Sequence, residues 1–286
     1  MVRLVLQDVV KPRGLYSLRL SARTDAYRTP LPGGDVGEAW QRHDGALVLR
    51  ARDEAGLLLL RFMLALEDDH TEFVRRFRSD PLLGRSIREL HGLRPLRLAT
   101  VTQSVVRAIC GQLIDSRRAR TIERAILRAC GEPGLTREAV GGLSPAQLRR
   151  FGLATARAST LVRLCRSLEL ERLRSLPVEA VEARLLRERG IGPWSVGVIG
   201  LEGLGSYRYG LVGDLALVKL CSSLWGRWVE TWETAAVLEP YGEWAGLACV
   251  YLMRGSMAGL VPGASADRAR LVRVASRRAA ERLAVS

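Results

Sequence analysis

A chain of 286 residues, 48% apolar and 26% charged, has the composition of a folded globular protein with room for about two domains, which excludes a disordered, collagenous or disulfide-scaffold chain. The 44 basic residues outnumber 30 acidic ones for a formal charge of +14, which points to a polyanion such as nucleic acid; coding bias is the competing explanation, because Lys11 and Lys219 are the only lysines. No run of 18 uncharged apolar residues is present, and five scattered cysteines with three histidines form no CxxC or HExxH, so no membrane span and no zinc or iron–sulfur centre is expected.

The first residues, 1–12, alternate as a strand does, and Asp8 interrupts them too early for a secretory h-region. A cytoplasmic, nucleoid-associated location and a monomer are the expectations. Tyr16–Ser21 also alternates, and Trp40–Arg42 faces Ala46–Ala51 across His43-Asp44-Gly45, a hairpin signal. After Leu57–Leu64 the period becomes helical. Ser144-Pro145, with Gln147 three residues after the cap, opens one helix. Pro177 opens another, apolar at Val178, Val181, Leu185 and Leu186 and stopped by Gly190. Pro193 begins a third, whose run over 194–204 is stopped by Gly205. Asp214 is placed to cap a helix over Leu215–Leu224, Tyr241–Met253 reads as a buried helix, and 266–283 as a basic one. Trp225, Trp228, Trp232 and Trp244 are expected to pack between the C-terminal helices. The expected fold class is α+β: a small N-terminal antiparallel β domain over 1–70, then an all-helical core of two subdomains over 71–286.

The most informative segment is Leu186-Arg-Glu-Arg-Gly190-Ile191-Gly192-Pro193-Trp194-Ser195. Two glycines permit a tight reversal between helices, and the amides freed at the second helix can then face a phosphate. A plain helical corner is the other reading of the same glycines. Downstream stands LEGLGSYRYGLVGDLALVKL, with Asp214 in a Gly-Asp-Leu setting 24 residues after Gly190. Together these resemble the helix-hairpin-helix DNA glycosylases, and within them the AlkA-type 3-methyladenine DNA glycosylase II group. Asp80-Pro-Leu-Leu, Gly92-Leu-Arg-Pro, Val105–Ile114 and Gly152-Leu-Ala-Thr-Ala-Arg-Ala agree, so the resemblance spans about residues 75 to 255.

The resemblance implies a monofunctional enzyme that flips alkylated purines such as 3-methyladenine or 7-methylguanine out of double-stranded DNA. A carboxylate stabilises the oxocarbenium character that develops when the base leaves its sugar. Asp214 takes that role, with helix capping as its alternative; one residue can do both. Relatives that also cleave the strand carry a lysine where this hairpin has Trp194, so no lyase activity is expected. The resemblance makes Trp194 a wall of the base pocket, with Val198 and Tyr251 at pocket positions and Gln112 near the gap. Leu113 becomes the wedge inserted into the base stack, though an ordinary core leucine is the other reading. Gly190, Ile191, Gly192, Ser195, Arg118 and Lys219 complete the DNA-contacting set, Arg118 also being a partner for Asp115. No cofactor is required; the resemblance implies a monovalent cation on the turn carbonyls. Two other functions remain open: a non-catalytic binder of damaged DNA, with Asp214 only capping its helix, and a glycosylase for deaminated or oxidised bases.

Overall fold

The computed structural model describes residues 5–112, 114–132 and 134–273. The chain divides into two compact units, one of residues 1–68 and 94–206, the other of 69–93 and 207–286. The β region thus shares a unit with residues 94–206, while residues 69–93 belong to the other.

The β part of the first unit contains β1 (Leu6–Val10), α1 (Leu18–Ala22), β2 (Ala26–Leu31), β3 (Asp35–Gln41), β4 (Leu47–Ala51) and α2 (Glu54–Met63). The strands form one antiparallel sheet in the order β1-β4-β3-β2, and Gln41 pairs with Leu47 across the Asp44-Gly45 turn. Leu47, Val48, Leu49 and Ala51 of β4 are buried, and Arg50 alone in the strand is exposed. Asp53 caps α2 by accepting the Gly56 N–H at 2.8 Å, and Leu57, Leu60 and Met63 pack with the sheet. Leu96 and Ala99 join that core, which explains the return of the chain to this unit. Tyr16–Ser21 corrects the strand expectation: Ser17 Oγ accepts the Leu20 N–H, and Leu18 and Ser21, three residues apart, are the buried face of α1. Local capping overrode a short alternation.

Arg94, 1% exposed, ties this unit together. Its guanidinium donates to the carbonyls of Ala65, Arg13 and Leu15, and its backbone N–H to Ser21 Oγ. A planar fork with five donors can hold three carbonyls at once.

In chain order the remaining helices are α3 (Thr71–Phe77), α4 (Gly84–Glu89), α5 (Val101–Gly111), α6 (Ser116–Cys130), α7 (Arg137–Gly142), α8 (Pro145–Arg150), α9 (Thr155–Ser167), α10 (Val178–Leu186), α11 (Pro193–Val198), α12 (Leu215–Trp225), α13 (Thr234–Leu238) and α14 (Ala245–Met257). Residues 266–273 are helical as well. Ser144 and Gln147 form the reciprocal capping box of α8. The run opened by Pro193 does continue to Leu204, but its second half, Ile199–Leu204, is π-helical. An outside donor, the Leu98 N–H, takes the Glu202 carbonyl at 2.7 Å. That carbonyl lies in the last turn, where no intrahelical donor remains to satisfy it. Arg174 and Arg97 then donate to the Gly203 and Gly205 carbonyls, placing positive charge on the end of this helix.

In the second unit, Phe73 and Phe77 of α3 meet Tyr241, Trp244 and Tyr251 in an aromatic core. The helix expected from Tyr241 starts at Ala245, because Gly242, at φ +51° and ψ −122°, breaks it and leaves Tyr241 in a preceding 3₁₀ segment. Two tryptophans also depart from expectation. Trp232 is 71% and Trp225 41% exposed, whereas Trp244 packs as expected, against Phe73 and Tyr207. Among the described residues no helix is long and apolar enough to cross a membrane.

Candidate nucleic-acid interface and carboxylate loop

The turn between α10 and α11 belongs wholly to the first unit. Val181 and Leu185 seat α10, whereas Leu186 is 40% exposed and Arg187 already ends the helix. Gly190 has φ +88°, and a Cβ there would lie 2.6 Å from Thr160 Oγ1, so both conformation and space demand glycine. Gly192 is different. Its backbone is extended (φ −113°, ψ 179°) and a Cβ there would meet nothing within 4 Å. It opens α11 with no side chain on the cap, and Pro193 follows at the first helical position. The N-terminal end of α11 is therefore bare backbone, which suits an anion.

Helix α9 braces the turn from below. Arg163 pairs with the Glu188 carboxylate and donates to the Arg189 carbonyl at 2.7 Å. Gln112, at the end of α5, closes the other side, since its Nε2 donates to the Gly190 carbonyl and to Ser195 Oγ, each at 2.9 Å. A Cβ on Gly111 would fall 2.7 Å from the edge of the Trp194 ring, so the indole lies against the last turn of α5. The structure thus brings Gly190, Ile191, Gly192, Trp194, Ser195 and Gln112 into one cluster. Within it Ile191 and Val198 are buried. Ser195 is only 2% exposed and spends its hydroxyl on Gln112, so a contact to an outside group would run through its backbone N–H rather than its side chain.

Arg107 of α5 links this cluster to two neighbours, donating to Glu202 Oε2 at 2.6 Å and Glu123 Oε1 at 3.0 Å. Burial works against its charge, but the two carboxylates together outweigh it and hold the guanidinium protonated more firmly than usual. Asp115 is not paired with the Arg118 guanidinium: its carboxylate caps α6 by accepting the Arg117 and Arg118 backbone N–H groups, each at 3.0 Å. Arg118 instead lines a depression of about 490 Å³ with Arg149, Arg157, Ile114 and the 152–155 loop. Sequence reasoning missed Arg149 and Arg157; the Gly152–Ala158 segment was a signal for Arg157 only. The wedge residue proposed at Leu113 lies outside the described residues.

Asp214, Lys219 and Tyr251 belong to the second unit. Asp214 is half-buried at the N-cap of α12, where Oδ1 accepts the Ala216 N–H at 2.8 Å. The loop leading to it is held along its length. Gly246 donates to the Tyr207 carbonyl at 2.6 Å, and a Cβ on Gly246 would lie 2.8 Å from the carbonyls of both Tyr207 and Tyr209. Gly210 backs onto Leu238 of α13, and the Asp214 N–H returns to the Leu211 carbonyl at 2.9 Å. Cys249 sits beneath in α14, its thiol pushed up to about 12, mainly by burial. Such a loop delivers a carboxylate at a fixed place. Lys219 is exposed on α12. Tyr251 corrects its expected pocket position: it is 2% exposed, its hydroxyl donates to the Leu93 carbonyl at 3.2 Å and its ring packs against Phe73, which commits it to the interior. Among the described residues no cluster of three His, Cys, Asp or Glu could hold a metal ion.

No family model matches the sequence. A DNA-3-methyladenine glycosylase of Bacillus subtilis is 23% identical over 209 residues, covering 66% of this chain and 68% of that protein. A 3-methyladenine DNA-glycosylase structure from Archaeoglobus fulgidus superposes with a TM-score of 0.75 at 19% identity, covering 87% of this chain and 98% of the other. A Clostridium acetobutylicum 8-oxoguanine glycosylase/lyase, in complex with double-stranded DNA containing cytosine opposite 8-oxoguanine, gives 0.71 at 18% identity, with 90% and 98% covered. The fold is that of the helix-hairpin-helix DNA glycosylases.

Proposed function

We propose that this protein is a DNA glycosylase that removes alkylated purines, 3-methyladenine and 7-methylguanine, from duplex DNA by monofunctional hydrolysis. The observation that carries the reading is Asp214, a carboxylate fixed at the N-cap of α12 by an anchored loop. A negative charge about 4 Å from a developing oxocarbenium ion, at an effective dielectric near 20, is worth about 4 kcal/mol, or about a thousandfold in rate. Cationic methylated purines leave easily, so one electrostatic carboxylate is sufficient chemistry. The 3-methyladenine activity named for the Bacillus subtilis relative supports the substrate class.

In this reading the bare N-terminus of α11 holds a phosphate, Trp194 flanks the extruded base, Leu113 fills its gap with Gln112 beside it, and Arg118 and Lys219 meet the backbone. Trp194 also carries the absence of lyase chemistry, since a Schiff base needs an amine and the two lysines, Lys11 and Lys219, lie outside the hairpin. Of the turn carbonyls, those of Glu188, Arg189 and Gly190 already accept bonds from Ile191, Arg163 and Gln112. Those three offer a monovalent cation only their second lone pairs, and no step is assigned to such an ion.

Release of free base from duplex DNA treated with a methylating agent tests the reading, wild type against Asp214→Asn. Wild type should release both purines, and the variant should be about a thousandfold slower while binding the same DNA. Tight DNA binding by wild type with no base released would leave the non-catalytic binder. Release of 8-oxoguanine in place of methylated purines would move the lesion class, and a covalent adduct with abasic DNA on borohydride reduction would overturn the monofunctional assignment.

A further inference from the structure

We infer that Thr234 is a positioning residue for Asp214: its hydroxyl fixes the backbone from which the carboxylate projects. The inference rests on the catalytic role proposed for Asp214. Thr234 is fully buried at the start of α13. Its Oγ1 lies 2.8 Å from the Gly213 nitrogen and 2.7 Å from the Thr231 carbonyl oxygen. A backbone N–H can only donate and a carbonyl can only accept, so the hydroxyl accepts from Gly213 and gives its own proton to Thr231. Both partners are specified, and no other arrangement of that proton serves the two contacts.

The need for such a clamp follows from the residue it holds. Gly213 has no side chain and sits at φ +86°, a conformation that glycine reaches without penalty and leaves as easily. The peptide after Gly213 is fixed by the Asp214 N–H bond to the Leu211 carbonyl. The peptide before it is fixed by Thr234. Thr231 adds a wall, its Cβ lying 3.4 Å from where a Cβ on Gly213 would stand. With both flanking peptides pinned and the Asp214 carbonyl held by the Val218 N–H at 2.8 Å, the direction of the Asp214 Cα–Cβ bond is set, and the Ala216 N–H then sets the rotamer. Loss of the hydroxyl frees the first peptide to swing and spreads the carboxylate over positions that are unproductive for a short-lived cation.

Because the hydroxyl is buried and reaches no surface, its removal should alter rate and leave affinity intact. Thr234→Val preserves shape and deletes both bonds, whereas Thr234→Ser keeps the oxygen. Single-turnover release of methylated purine, DNA affinity and amide exchange at Gly213 are measured for wild type, both variants and the double variant with Asp214→Asn. Thr234→Val is expected to be at least tenfold slower with DNA affinity within twofold of wild type, and its Gly213 amide to exchange faster; Thr234→Ser is expected within twofold of wild type in rate. Added to Asp214→Asn, Thr234→Val should cost nothing more, because the residue acts only through that carboxylate. A Thr234→Val rate within twofold of wild type, or a loss as deep in the Asp214→Asn background, overturns the inference. Should Asp214→Asn itself release base as wild type does, the reading of Asp214 fails and the inference with it. A Thr234→Val chain too unstable to assay passes the decision to Thr234→Ala in the same cycle.

Discussion

The two hairpin glycines make a paired test, because the same substitution at residues two apart should act through different physics. At Gly190, alanine must hold φ near +88° and place its methyl 2.6 Å from Thr160 Oγ1 and 3.0 Å from Cγ2. The left-handed backbone costs about 1–2 kcal/mol, and overpacking a nearly buried threonine adds about 1–3 kcal/mol. Gly190→Ala should therefore destabilise the protein by about 2–5 kcal/mol, read as a lower denaturation midpoint at unchanged m-value. At Gly192 the extended backbone accepts alanine and the methyl meets no protein atom. Stability should hold or rise by about 0.4–1 kcal/mol, because the unfolded chain loses freedom. That methyl nonetheless occupies the approach to the start of α11. Hydrogen bonds to a charged group are worth about 1.5–3 kcal/mol, so Gly192→Ala should weaken duplex DNA binding about tenfold or more. Urea melts and titrations of a labelled duplex at fixed salt give both numbers. A Gly192→Ala protein that binds as wild type would remove the phosphate from this turn, and a Gly190→Ala protein as stable as wild type would refute the argument from φ and Thr160.

Two further outcomes follow from the interior. Arg94→Met should cost about 2–4 kcal/mol, since it orphans the buried Ala65 carbonyl and takes a donor from the part-buried carbonyls of Arg13 and Leu15; a loss below 1 kcal/mol would show that water replaces the guanidinium. Burial raises the thiols of Cys110, Cys165 and Cys249 to about 12, while Cys130 is the one cysteine that is not buried. A thiol reagent at pH 8 should label Cys130 first and the other four only on unfolding, as peptide mapping by mass spectrometry would report.

What was legible in the sequence is what local chemistry encodes. The Ser144/Gln147 capping box, the Asp44-Gly45 hairpin, Pro193 at the start of α11 and Asp214 before α12 all stand where a few adjacent residues put them. Tyr16–Ser21 misled because six residues alternate as easily by chance as by design, and the cap at Ser17 decided the matter. Trp232 misled because size and apolarity suggest burial without requiring it. The two-unit division rests on contacts between segments more than a hundred residues apart, about which periodicity says nothing. The same holds for Thr234: it stands 20 positions after Asp214 in an unremarkable threonine-containing turn, and only the fold brings its hydroxyl to Gly213.

The arginine ties carry a consequence for how charge is read in this chain. Arg94 and Arg174 each hold three carbonyls, and Arg97, Arg163 and Arg166 donate to those of Gly205, Arg189 and Gly141. These side chains count toward the +14, yet the forks of Arg94, Arg97 and Arg174 are spent on internal partners and cannot also clasp a phosphate. A wholesale exchange of arginine for lysine would reproduce the net charge and its far field while supplying no planar fork to span two or three carbonyls. Such a protein would match this one by electrophoresis in the unfolded state and fail to assemble, because here the guanidinium serves as much for carpentry as for charge.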